Sequence, residues 1–196
     1  MNQPDLAGRL EFIRAAEQLK NVLRSAYTST GRQESTPEHT WRLCLLAMVF
    51  QDRLAELDFE KVLKICVIHD LGEAINGDVP AIHQSTTIDK SVSERRDLLT
   101  LLSPLPAALQ QEFVSLWDEY DNATSAEAQA VKALDKLETI IQHSQGKNPP
   151  DFDYAFNLSY GQSHTSTHAL FAELRALVDE HTRQRLQQQQ RHPPAQ

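Results

Sequence analysis

Residues 124–143 read TSAEAQAVKALDKLETIIQH, and this stretch decides the fold. Val131, Leu134, Leu137, Ile140 and Ile141 recur every three or four residues, the period of one helix face. Thr124-Ser125-Ala126-Glu127 matches a capping box, so the spacing predicts a long helix ending near His143. Asp135 has Val131, Glu138 and Thr139 as its neighbours at one-turn spacing. It therefore borders the apolar face rather than an obvious solvent face.

The same helical spacing recurs outward from this stretch. Leu6, Leu10, Ile13, Leu19 and Leu23 mark a first amphipathic helix, and Tyr27–Ser35 reads as a loop. A second helix starts at Thr36-Pro37, with Trp41, Leu45, Met48 and Val49 expected inward. A third follows the cap Asp58 and runs Phe59–Asp70 with Val62, Ile65, Cys66 and Ile68 apolar. Asn76-Gly77 and Pro80 break the pattern. Helices are expected over Ser91–Leu102, Ala107–Tyr120 and Ser166–Arg185, with a turn at Gly146–Asp153.

Glycine is scarce, at 6 residues, and no alternating run demands a sheet. The fold class is all-α: one compact helical bundle over residues 1–185, with a disordered Gln/Pro-rich tail over 186–196. A chain of 196 residues with 40% hydrophobic content can bury one sizeable core. Its net charge of −8 argues against binding a nucleic-acid polymer, which needs a basic surface. The longest apolar runs, such as Leu43–Phe50, are far too short to span a bilayer. The start, MNQPDLAGRLEF, lacks a secretory pattern, and Cys44 and Cys66 read as buried thiols in helices. These features point to the cytoplasm.

His69-Asp70 closes the third helix after an apolar run, which brings an imidazole and a carboxylate toward the interior. Burying a carboxylate is costly unless it is paired, hydrogen-bonded or bound to a cation. A divalent metal or a plain Asp–His hydrogen bond would each answer that need. His39 in the first turn of the second helix, Asp135, and the nearby Glu73 and Asp78 favour the metal. Carboxylates beside a metal are what hydrolysis requires, to orient water and protonate a leaving oxygen.

The motifs ESTPEH (34–39), IHDLGEAINGD (68–78) and SAEAQAVKALDKLE (125–138) together resemble the HD-domain phosphohydrolases, in particular the HD-domain 5′-deoxynucleotidase family. The resemblance runs from about Leu10 to Val178. It implies that His39, His69, Asp70 and Asp135 hold one divalent metal and that Glu73 positions the attacking water. Asp78 would lie near the sugar or the leaving oxygen. Four protein ligands leave open positions only on a five- or six-coordinate ion. Co, Mn or Mg therefore suits the reaction better than tetrahedral Zn, with Fe and Ni also open.

The family's Arg and the Trp that follows it fall here in the stretch Arg24–Tyr27, and Tyr27 stands for the Trp. Arg24 reads either as the phosphate-binding cation or as an ordinary cation at a helix end. The resemblance implies hydrolysis of (deoxy)nucleoside 5′-monophosphates, a small-molecule nucleotide partner and a homodimer. The alternatives are another HD-type hydrolase of a small phosphoester or nucleotide, or a silent nucleotide-binding module. Arg42 and His143 fall at one- and two-turn spacing from His39 and Asp135. Arg42 reads as a salt-bridge residue more than as a site residue, and His143 equally as a site residue or a helix cap. His164 and His168 have i, i+4 spacing but no carboxylate close by.

Overall fold

The computed structural model describes residues 3–78 and 87–191; the expected break at Pro80 lies outside them. Ten α-helices and one small hairpin are seen among the described residues. They are α1 (Gln3–Ala16), β1 (Leu23–Tyr27), β2 (Gln33–Ser35), α2 (Thr36–Val49), α3 (Phe59–Ile68) and α4 (Glu73–Asn76). Then come α5 (Thr87–Leu102), α6 (Ala107–Asn122), α7 (Ala126–Gln145), α8 (Tyr154–Asn157), α9 (Gln162–Thr165) and α10 (Ala169–Arg191).

The stretch 126–145 is the axis of the domain. α7 packs against α2, α3, α6, α9, α10 and β1. Its apolar face, with Val131, Leu134, Leu137 and Ile140, meets Leu43, Val62 and Ile65 in one core. Full burial of side chains of this size contributes about 1.5–3 kcal/mol each. The other face of α7 is polar and yet buried: Asp135, Glu138, Thr139, Gln142 and His143. Polar groups kept out of water in this way need partners: Asp135, Thr139 and His143 line the site described below, while Glu138 and Gln142 bond elements packed against it.

Several expectations are corrected. The cap of α7 is Ser125, whose side chain accepts from the Ala128 amide, one residue later than the expected box. α2 is capped by Ser35 and Glu38 in a reciprocal box, which leaves Thr36 free to donate to Glu73 Oε2 (3.3 Å). Leu23–Ser35 is an antiparallel hairpin, irregular between Leu23 and Tyr27, where helix and loop were expected. Two strands of 5 and 3 residues carry too little alternation to be read from the sequence.

The inward face of α2 is Thr36, His39, Leu43 and Ala47, while Trp41 and Val49 are 63% and 69% exposed beside Leu45 and Met48. In α1, Leu6, Leu10 and Ile13 are exposed and Phe12 is buried. α1 leans on α5, on the 3-10 turn that follows it and, through Phe12 against Phe113, on α6, which leaves Leu6, Leu10 and Ile13 exposed. α10 runs to Arg191, past the expected end at 185. Gln189 donates to the Pro150 and Phe152 carbonyls and so ties the last turns down. Residues 192–196 lie outside the description.

Two glycines place the loop after α3. A Cβ on Gly72 would stand 2.5 Å from the Glu94 carbonyl, so its absence lets α5 come against this loop. Gly77 ends α4 at φ +84°, where a side chain would be strained, and its amide caps the Glu73 carbonyl at 2.8 Å.

Candidate metal centre and its cavity

The two histidines are aimed before any ion is considered. His69 follows directly on α3, and its Nδ1–H donates to the Cys66 carbonyl of the turn before (2.8 Å). His39, in the first turns of α2, donates its Nδ1–H to Glu138 Oε2 on α7. Glu138 is in turn held by Arg42, which also reaches the Glu138 carbonyl (3.2 Å). In its neutral form each imidazole therefore presents Nε2 as a lone pair.

Those lone pairs meet acceptors only. His39 Nε2 is 3.0 Å from Asp135 Oδ1 and 3.9 Å from Asp70 Oδ2; His69 Nε2 is 3.1 Å from Asp70 Oδ2. His39 Nε2, His69 Nε2 and Asp70 Oδ2 are buried with no hydrogen-bond partner. The other Asp135 oxygen accepts from Tyr120 and Lys136, each at 2.8 Å, which turns Oδ1 toward His39. Converging acceptors without donors are the condition a cation satisfies. Separations near 3 Å suit neighbouring ligands of an ion bound at about 2.1 Å. A divalent metal fits, and His39, His69, Asp70 and Asp135 would hold it.

The electrostatics agree. Burial and the charge of Arg24 push the His39 pKa down, but Glu138 and Asp135 outweigh them and hold it at about 10. A proton there does what a metal would do, which is to offset the carboxylates. Asp70 stays well below the usual carboxylate range: burial works against this, and His69, His39 and Arg24 overcome it. Asp135 is likewise depressed, against burial, chiefly by Lys136 and His39.

His69, Asp70 and Asp135 border a cavity of about 500 Å³, a size ordinary for a small-molecule site, and His39 stands fully buried behind them. Arg24 lines it. Its guanidinium donates to Thr139 Oγ1 (3.1 Å) and lies 3.5 Å from Glu34 and 3.8 Å from Asp70. Glu73 and Asp78 face the same space, with Lys90 at 3.7 Å and 4.0 Å from them. Burial first, then Asp70 and Asp78, raise Glu73 to about 10, against Lys90 and Arg24. Positive charge at Asp70 acts in the opposite sense and would free Glu73 to accept a proton.

Tyr27 is not among the lining residues. It stands at the end of β1, where its carbonyl accepts from Gln142, and Ser25 and Ala26 line the wall instead. Arg42 acts through Glu138. His143 and His164 border the cavity, whereas His168 is exposed, and no metal-holding group includes either of the last two among the described residues. Glu34, Glu138, Thr139, Tyr120, Lys90, Lys132, Lys136 and Tyr160 stand at or behind the site without having been singled out as site residues from the sequence. Only Glu138 and Thr139 carried a usable signal, through their one-turn spacing from Asp135. The lysines bring cations that the loop 70–78 lacks, though each is engaged: Lys90 by Glu94, Lys136 by Asp135, and Lys132 by the Tyr120 and Asp121 carbonyls.

A helical domain that gathers two histidines and two aspartates beside a recess of small-molecule size has the design of a metal-dependent phosphohydrolase. Residues 16–175 match the HD domain family, and the chain belongs to it. It is 34% identical to human 5′-deoxynucleotidase HDDC2 over 138 residues, which cover 69% of this chain and 67% of that protein. It is 30% identical to the 5′-deoxynucleotidase YBR242W of Saccharomyces cerevisiae, over 68% of this chain and 58% of the relative. Among solved structures, a predicted metal-dependent phosphohydrolase from Magnetospirillum magnetotacticum superposes with a TM-score of 0.78 at 28% identity, covering 92% of this chain and 94% of the other.

Proposed function

We propose that the chain hydrolyses deoxynucleoside 5′-monophosphates to nucleoside and phosphate. The observation that carries this reading is the convergence of three unpartnered ligand atoms, His39 Nε2, His69 Nε2 and Asp70 Oδ2, beside a cavity lined by His69, Asp70, Arg24 and Glu73. A divalent ion held there polarises a phosphoryl group and lowers the pKa of water. Arg24, locked by Thr139 and fully charged among carboxylates, binds phosphate oxygens through its fork of donors. Glu73, fixed by the hydroxyl of Thr36, orients the attacking water and takes its proton. Asp78, across from Lys90, lies toward the departing 5′-oxygen. Co, Mn or Mg is the proposed metal, since open coordination positions are needed.

The test is phosphate release from a panel of 2′-deoxy and ribo 5′-monophosphates, each with Co, Mn, Mg or Zn. Deoxynucleotides are expected to be preferred and Zn to support the least activity. Equal use of both sugars would shift the reading to a general phosphomonoesterase.

We further propose that the protein acts on free nucleotides in the cytoplasm as a homodimer. The acidic net charge of −8 disfavours polymers, and no helix among the described residues is long and apolar enough to cross a membrane. Support for the dimer is the outer face of α2, where Trp41, Leu45, Met48 and Val49 lie at i, i+4, i+7 and i+8 without cover. Sedimentation velocity is expected to give twice the chain mass for the native protein and a monomer for Trp41→Glu. A native monomer at tens of micromolar (roughly the range of weak dimers) would refute it.

A further inference from the structure

The cavity continues beyond the ion-holding residues, along the polar face of α7. Asp135, Thr139 and His143 recur at four-residue spacing, which sets them in a row about 12 Å long on one side of the helix. Asp135 stands at the metal end, and Thr139 holds the Arg24 guanidinium. His143 stands at the far end, only 7% exposed, and borders the cavity. Nothing in the proposed hydrolysis uses it.

His143 is nevertheless built with care. Its Nδ1–H donates to Asn157 Oδ1 on α8 (2.8 Å), which fixes the tautomer. Nε2 is left as a bare lone pair with no hydrogen bond among the described residues. Burial, aided by the charge of Arg24, pushes the His143 pKa down to about 4, so the ring is neutral at physiological pH and Nε2 is purely an acceptor. One flat ring packs on this end and two more lead back from it. Phe152 meets His143 edge to face, with centroids 4.9 Å apart at 72°; Phe156 lies 5.2 Å from Tyr160, tilted by 30°, and Tyr160 lies under Lys136 beside Asp135. Phe152, Phe156 and Tyr160 all line the cavity.

We propose that His143, Phe152 and Phe156 form a nucleobase subsite, in which His143 Nε2 accepts an N–H from the edge of the base and the aromatic side chains pack against its face. The inference rests on the nucleotide reading above. A nucleotide laid along α7 with its phosphate at Arg24 and the metal carries its base toward His143. A buried acceptor penalises any ligand that cannot donate to it, and aromatic faces suit a flat heterocycle. All four natural bases carry an N–H donor on the pairing edge, so the subsite distinguishes nucleotides from sugar phosphates more than one base from another.

Kinetics of the metal-loaded enzyme test this with 2′-deoxyadenosine 5′-monophosphate, its analogue with hydrogen in place of the 6-amino group, and 2-deoxyribose 5-phosphate. The native enzyme is expected to favour the amino compound over the analogue by about tenfold, mainly through KM. It is expected to disfavour the sugar phosphate more strongly still. His143→Phe abolishes the amino preference, and His143→Gln, whose side-chain carbonyl can accept in its place, restores part of it. Phe156→Ala raises KM for both nucleotides and keeps the preference. A native enzyme indifferent to the amino group overturns the subsite whatever the variants do, as does a preference that survives in His143→Phe.

Calorimetric binding of deoxyadenosine, which carries no phosphate, separates this inference from the hydrolase reading. Nucleoside binding that weakens in His143→Phe without any phosphate release from nucleotides would sink the hydrolase and keep the subsite. Phosphate release with no amino preference would do the reverse.

Discussion

Asp70→Asn is expected to lower phosphate release by well over a hundredfold and to abolish retention of the divalent ion. Asp70 Oδ2 is the atom that His69 and His39 both face, and it has no hydrogen-bond donor of its own. Removing a residue that only supports a metal ligand commonly lowers affinity or activity about 10–100-fold, so loss of the ligand itself exceeds that range. Three readings should move together: kcat, metal content per chain, and the melting shift on adding metal. An ion at a hundred times its Kd stabilises the native state by about 2.7 kcal/mol, and Asp70→Asn forfeits that gain. Normal metal content in the variant would remove Asp70 from the ligand set.

Glu73→Gln should cost about 10²–10⁴ in kcat while leaving metal content intact, because it deletes the proton acceptor and preserves shape. The pH dependence carries the sharper information. Burial and the carboxylates Asp70 and Asp78 raise Glu73, so the protonated acid dominates when positive charge is absent. Metal binding favours the ionised form. Metal loading and Glu73 ionisation are therefore linked: binding releases the Glu73 proton, so metal affinity strengthens as pH rises. Apparent metal affinity in the native enzyme is expected to increase with pH more steeply than in Glu73→Gln. Parallel curves would show that Glu73 does not feel the ion.

Helices α3 and α7 were legible because their apolar residues are confined to one face with a clean cap before it, at Asp58 and Ser125. α2 was legible as a helix but not in its orientation. It is apolar on two sides, and periodicity cannot tell Leu43 and Ala47, which meet α7, from Trp41 and Met48, which do not. The hairpin was hidden by its shortness, and Tyr27 was misplaced with it.

In the site, His39, His69, Asp70 and Asp135 could be singled out because each is a polar residue in an apolar helical setting. The structure brings them together. Tyr120 and Lys90 offered no such contrast. Their proximity comes from helices crossing in space, and no local spacing encodes that.

The two imidazoles differ in what keeps them aimed. For His69 the restraint is a main-chain carbonyl at Cys66, which any sequence folding this helix turn supplies. For His39 it is a side chain, Glu138, which itself leans on Arg42. Mutational drift therefore threatens the halves unequally. One is insured by the backbone, while the other depends on two further codons, so decay of this active site in a lineage would begin at Glu138 and Arg42 before any ligand changed.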